Sequence, residues 1–240
     1  MTAAAAFQPT RWSLISAVRS GSAPRVQAAL ETLCATYWYP LYAYIRRRGH
    51  GAEEAADLTQ AFFVRVLEKD FFARADQQRG RLRTFLLTAV QHFLRDDWQK
   101  QQRQKRGGGI VPLSIDEAVA EGLYAHEPAD GRDAETIYHR RWALTLLDRS
   151  MNALREDYAA QGKGEVFEAL KSFLTVEDEE QSAAVVGQKL GLEAGAVRVA
   201  IFRLRRRYRE KLLEEVAASI DAQTEAEVDE EIAALFRALS

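Results

Sequence analysis

The stretch SAAVVGQKLGLEAGAVRVAIFRLRRRY, residues 182–208, decides how this chain is read. Ser182–Leu190 has the apolar spacing of a short amphipathic helix, with Val185, Val186 and Leu190 expected to face inward. Gly191 supplies the break, and Leu192 is expected to plug the turn with an apolar side chain. A longer helix then begins near Ala194, on which Val197, Ile201, Leu204, Tyr208 and Leu212 share one face. Arg198, Arg203, Arg206 and Arg209 project elsewhere. Two helices joined by a tight turn, with guanidinium groups on the outer face, form a helix–turn–helix that suits the DNA major groove. Arginine there can grip phosphates or bind guanine edges bidentately. Taken alone, the stretch also reads as a solvated arginine-rich face with no DNA partner.

The whole chain is compatible with that reading. At 240 residues and 47% hydrophobic it can hold one or two domains with real cores. Only five prolines and no alternating apolar–polar runs predict an all-α protein. The net charge of -2 conceals an uneven layout. Basic residues crowd Arg95–Arg106 and Arg198–Lys211, whereas the segment after Glu214 is acidic. Local basic clusters, not the sum, govern attraction to a polyanion.

The single cysteine, Cys34, excludes a disulfide framework and a cysteine-rich zinc site. His50, His92, His126 and His139 are scattered without metal-ligand spacing. Gly107–Gly109 lacks the flanking strand and Lys-Ser/Thr pair of a phosphate loop, and no nucleophile–base signature stands out. No catalytic site, cofactor or metal is therefore expected. Neither a signal peptide nor a membrane span is read from the sequence, so the expected location is cytoplasmic with no membrane partner.

Upstream, Leu30, Leu33, Tyr37, Leu41, Tyr44 and Ile45 predict a helix over Val26–Arg48, which Pro40 kinks or divides. Gly49-His50-Gly51 breaks it, and further helices are predicted at about Glu53–Glu68 and Arg81–Arg106. Residues 107–135, rich in turn formers and acids, read as a linker with one short helix around Asp116–Glu121. Helical spacing resumes with Tyr138, Trp142, Leu146 and Leu147 and continues through Leu154, Phe167, Leu170, Phe173 and Leu174. The predicted architecture is two helical domains joined by a linker, the second containing the helix–turn–helix.

Two further stretches carry a resemblance. Tyr39-Pro40-Leu41-Tyr42-Ala43-Tyr44-Ile45-Arg46-Arg47, followed by Ala56-Asp57-Leu58-Thr59-Gln60-Ala61-Phe62-Phe63, resembles the core helices of extracytoplasmic-function sigma factors of bacterial RNA polymerase. Leu190-Gly191-Leu192-Glu193-Ala194-Gly195-Ala196-Val197-Arg198 resembles their C-terminal helix–turn–helix. The resemblance implies a leader at 1–24, sigma domain two at 25–106, the linker at 107–135, sigma domain four at 136–215 and an acidic extension at 216–240. It implies core RNA polymerase and promoter DNA as partners, and a role in promoter recognition and transcription initiation.

Asp57, Gln60 and Phe63 would face polymerase. Arg83, His92, Arg95, Trp98, Lys100 and Arg103 would approach the minus-ten element. Arg198, Val199, Phe202, Arg203 and Arg206 would approach the minus-thirty-five element. The chemistry fits, since basic groups track the backbone and aromatic rings stack on exposed bases, although Trp98 equally reads as a core anchor. The alternative function is a helix–turn–helix regulator that binds DNA without core polymerase, which would have no use for the first domain.

Three departures from the family pattern matter. Ala56 and Ala61 stand where relatives commonly carry Glu, leaving Asp57 with Glu53 and Glu54. Such acid-poor helices with a threonine resemble a subgroup linked to Ser/Thr kinases. A kinase is then an expected partner, with phosphorylation of Thr59 adding about -1.5 to -2 charge. The other reading makes Thr59 an ordinary packing residue in the stripe of Leu58, Phe62 and Val66. On the recognition helix, Val199, Ala200 and Phe202 replace polar groups; they can touch thymine methyls but cannot hydrogen-bond base edges. Finally, Asp221–Glu231 followed by Ile232, Leu235, Phe236 and Leu239 reads as an acidic amphipathic helix. It either covers DNA-binding arginines or packs on the core, or stays partly disordered.

Overall fold

The computed structural model describes residues 23–67, 81–101, 117–127, 131–174, 179–220 and 224–240, with side chains for all of these except 23–30, 67, 97–101, 117 and 179–182. They form α1 (Ala23–Arg47), α2 (Ala52–Leu67), α3 (Leu82–Gln101), α4 (Glu117–Tyr124), α5 (Ala134–Ala160) and α6 (Gly164–Leu170). A 3-10 turn (Lys171–Leu174), α7 (Glu179–Leu190), α8 (Ala194–Ser219) and α9 (Glu225–Leu239) complete the order. No strand occurs among the described residues. The all-α expectation therefore holds.

The described residues divide into two compact units. One comprises those up to Thr145 together with those from Ala217 onward; the other is Leu146–Val216. This differs from the division read from sequence, which began the second domain at residue 136 and set the extension apart. Ile137, Tyr138 and Trp142 at the start of α5 are fully buried, and the Tyr138 hydroxyl donates to the Arg83 carbonyl at 2.9 Å. These contacts tie the start of α5 to α3.

In the first unit, α1 continues through Pro40 as one helix, so of the two expected outcomes the division does not occur. Proline removes one helical hydrogen bond, at a cost of about 3 kcal/mol. Tyr37, Trp38, Leu41, Tyr42, Tyr44 and Ile45 are all buried on either side of it. Each large apolar side chain so buried contributes about 1.5–3 kcal/mol, so packing outweighs the lost bond.

The expected linker is in part a docked element. Arg46 grips Glu121 with Nε at 2.6 Å and Nη2 at 3.1 Å, and stacks over Tyr124. The Tyr42 hydroxyl donates to the same carboxylate at 2.6 Å. Tyr39 and Arg141 both donate to Glu127, and Arg47 Nε donates to the Arg132 carbonyl at 2.9 Å. α4 thereby lies against α1 and α2. α5 starts where the Asp133 carboxylate accepts from the Thr136 amide, an N-cap bond.

The second unit closes on Leu154, Tyr158, Phe167, Leu170, Phe173, Ala183, Val197, Ile201 and Leu204. α7 ends at Gly191, whose φ of +65° only glycine adopts without strain. The Leu192 amide then donates to the Gly187 carbonyl at 2.8 Å, closing the helix end in the Schellman manner. A Cβ at Gly187 would lie 2.6 Å from the Leu192 carbonyl oxygen, so the turn needs glycine inside the helix as well as after it.

Two expectations change here. Val185 is 66% exposed, whereas Val186 packs inward as expected, beside the buried Ala183 and Gly187. Adjacent helical residues diverge, so only one of the two valines can point inward. Leu192 is exposed and plugs nothing, since backbone hydrogen bonding closes the turn.

Candidate nucleic-acid and polymerase interfaces

Several basic residues of α8 serve their own unit. Arg205 donates to the Phe173 carbonyl at 3.0 and 2.7 Å, Arg207 stacks over Tyr158, and Lys211 pairs with Asp157 at 2.9 Å. These cations brace the helix against its own unit. Arg149 does the same from α5, reaching Glu215 at 3.0 Å. The outer side carries Arg198, Val199, Phe202, Arg203 and Arg206, all exposed. Val199 is 49% and Phe202 67% exposed, so Phe202 is not buried against a neighbouring helix. Arg206 reaches Glu210 at 3.4 Å, an exposed pair of small energetic weight. All five residues expected to read DNA in this unit thus share one exposed face.

The first unit treats its expected residues less uniformly. On α2, Asp57 is exposed and Gln60 half-buried, whereas Phe63 is buried edge-to-face against Phe62. Phe63 is a core residue and presents no surface to a partner. Glu53 and Glu54 are exposed at the start of α2, with Glu54 3.1 Å from His50. Thr59 is fully buried and donates its hydroxyl to the Ala55 carbonyl at 2.7 Å.

On α3, His92 and Arg95 are exposed. Arg95 lines a cleft with Tyr44, Arg48, His50, Gln91, Leu94 and Glu135, so two guanidinium-bearing residues line one opening. The side chains of Trp98 and Lys100, and all of Arg103, lie outside the described residues.

Arg83 is 8% exposed and occupied. Its Nε and Nη2 donate to the two Glu231 carboxylate oxygens at 2.6 and 3.2 Å, and its Nη1 lies 2.9 Å from His139 Nδ1. The guanidinium also stacks over Trp142 at 4.5 Å. Arg81 joins Glu231 at 2.8 Å and Glu230 at 3.6 Å. Burial and the Arg83 charge hold the His139 imidazole down to about 4, against opposition from Glu231 and Asp133. It is therefore neutral at neutral pH, and its Nδ1 accepts from Arg83.

Glu231 belongs to α9, which opens with a capping box between Thr224 and Glu227 and buries Ala234 and Leu235. The acidic C-terminal helix thus packs on a core and covers arginines at once. The arginines belong to the first unit, not to the helix–turn–helix. No local signal in the sequence joins Arg83 to a glutamate 148 positions away.

Among the described residues no group of His, Cys, Asp and Glu side chains could hold a metal, and no helix is long and apolar enough to cross a membrane.

The described residues are thus helical, with a helix–turn–helix whose outer face carries arginines. A family model, ECF sigma factor, matches residues 13–186, well over half of the chain. The chain belongs to the ECF sigma factor family, whose members bind core RNA polymerase and promoter DNA. The match ends inside α7, so α8 and α9 lie beyond it. No curated protein and no solved structure matches the chain.

Proposed function

We propose that this RNA polymerase sigma factor divides promoter recognition between its two units. The outer face of α8 binds the minus-thirty-five element. The exposed part of α3 meets the minus-ten element, and α2 contacts core polymerase through Asp57 and Gln60. The observation that carries the reading is the sorting of α8. Arg205, Arg207 and Lys211 meet carbonyl, ring and carboxylate partners of the same unit and fix the helix, and Arg198, Arg203 and Arg206 surround the exposed Val199 and Phe202. A helix anchored this firmly presents its outer face as a rigid reading head.

On α3 the contact falls to His92 and Arg95, and Arg48 lines the same cleft as Arg95. Arg83 is left out because its donors already serve Glu231 and His139. Phosphorylation of Thr59 is left out as well. Its buried hydroxyl would have to leave the Ala55 carbonyl, and a doubly charged phosphate would enter a core where every buried charge needs a partner.

Reconstitution tests the reading. The full chain should bind core enzyme and direct initiation in vitro from a subset of genomic fragments. Asp57→Arg should lower core binding without changing the thermal midpoint. A chain that protects DNA but is not retained by core enzyme would instead be a regulator acting without polymerase.

A further inference from the structure

The outer face of α8 combines two chemistries, one apolar and one cationic. Val199 and Phe202 lie three residues apart, one turn of the same face, and about 7 and 12 Å along the axis from Ala194. They are exposed, yet neither can donate or accept a hydrogen bond. Arg198, Arg203 and Arg206 are exposed around them, so the apolar pair sits within a cationic surround. That surround favours a polyanion over an apolar protein partner.

Base edges in the major groove present donors and acceptors to an entering helix, with one apolar exception, the C5-methyl of thymine. A polar edge pressed against Phe202 would lose water and gain no partner, a penalty a thymine methyl does not incur. We infer that Val199 and Phe202 read the upstream promoter element by contact with thymine methyl groups, while the flanking arginines hold the phosphates. Specificity in this unit would then rest on shape and methyl contact, without a base-edge hydrogen bond from these two positions. The inference rests on the proposed role of α8 in binding the minus-thirty-five element.

The test uses the full chain assembled with core polymerase. Duplexes are selected from a pool with a randomised block upstream of a fixed minus-ten region. The winning duplex is then resynthesised with deoxyuridine at each selected thymine in turn, which removes only the methyl. One or two of these substitutions should weaken binding roughly 4-fold each, the value of one buried carbon. Phe202→Ala should abolish the sensitivity at its thymine, while Phe202→Leu should keep part of it. The salt dependence should be unchanged in both variants, because the arginines remain.

Equal binding of thymine and deoxyuridine duplexes by the wild-type holoenzyme would overturn the inference. So would Phe202→Ala weakening retention by core polymerase while the thymine preference persists, which would make the face a protein contact. If no upstream sequence is selected at all, the assignment of α8 to promoter DNA fails and the inference falls with it. Selection without methyl dependence overturns the inference alone.

Discussion

Arg83 on α3 and Arg203 on α8 carry the same guanidinium, and both lie on helices whose sequence suggests DNA, yet the fold commits them to opposite uses. Arg83 is enclosed by Glu231, His139 and Trp142, and Arg81 beside it shares the same carboxylate. Arg203 is exposed on a face that includes Arg198, Val199, Phe202 and Arg206. A buried guanidinium needs a fixed carboxylate to offset its lost hydration, and once it has one it is structural. An exposed guanidinium can turn its donors to a phosphate or a guanine edge. Basic composition along a helix is therefore not a measure of its DNA-binding surface. What counts is which carboxylates the tertiary fold brings to it.

The sharpest way to break the contrast is to remove the carboxylate. Glu231→Ala leaves Arg83 buried without its counter-ion and should cost roughly 3–5 kcal/mol in the unfolding of the first unit. A denaturant midpoint within experimental error of wild type would show that Arg83 is not committed to the core. Gly187→Ala should come next. Its Cβ meets a backbone carbonyl that cannot swing aside, so about 1–3 kcal/mol of stability in the second unit should be lost, read from the same titration.

His139 adds a pH signature to the buried side of the comparison. Its imidazole stays neutral in the folded chain down to about pH 4, whereas an unfolded chain takes up that proton near the ordinary value of 6.5. The folded-state value is depressed, so the unfolded state binds more protons between these limits. Stability is full above about 6.5 and falls as pH drops through that window. His139→Gln, which retains an acceptor for Arg83, should flatten this part of the profile; an unchanged profile would remove His139 as its source.

The smallest effects on stability belong to the exposed side. Arg203→Ala and Arg206→Ala should change unfolding by less than about 0.5 kcal/mol. If each contacts a phosphate, each should lower the slope of log affinity against log salt by about 1. A loss of stability instead of affinity would place them with Arg83.

Much of the molecule was legible in the order of its residues. Periodicity located nearly every helix, because 3.6-residue spacing of large apolar groups reports a buried stripe wherever the partner lies. At Pro40 it leaves a division of the helix open, which the structure rules out because the local penalty is visible in the sequence and the compensating burial is not. It also misassigned Val185, because the tight approach of Leu192 to Gly187 selects the inner face. Phe63 and Arg83 were placed on surfaces by analogy of position, and each proves buried. The acidic tail was legible as an amphipathic helix, but not its docking site.

By itself, then, the sequence determined the helical class, the two basic stretches, the helix–turn–helix and the family. Each of these depends on spacing within a few turns of one helix or on a short motif. The tertiary structure alone decided which arginines remain outside. That choice is clearest at Arg83, which Glu231 meets from a remote part of the chain, while the Phe173 carbonyl and Asp157 engage Arg205 and Lys211 on α8. Carboxylates and carbonyls neutralise or occupy a guanidinium only within a few ångströms, a distance that chain order does not encode.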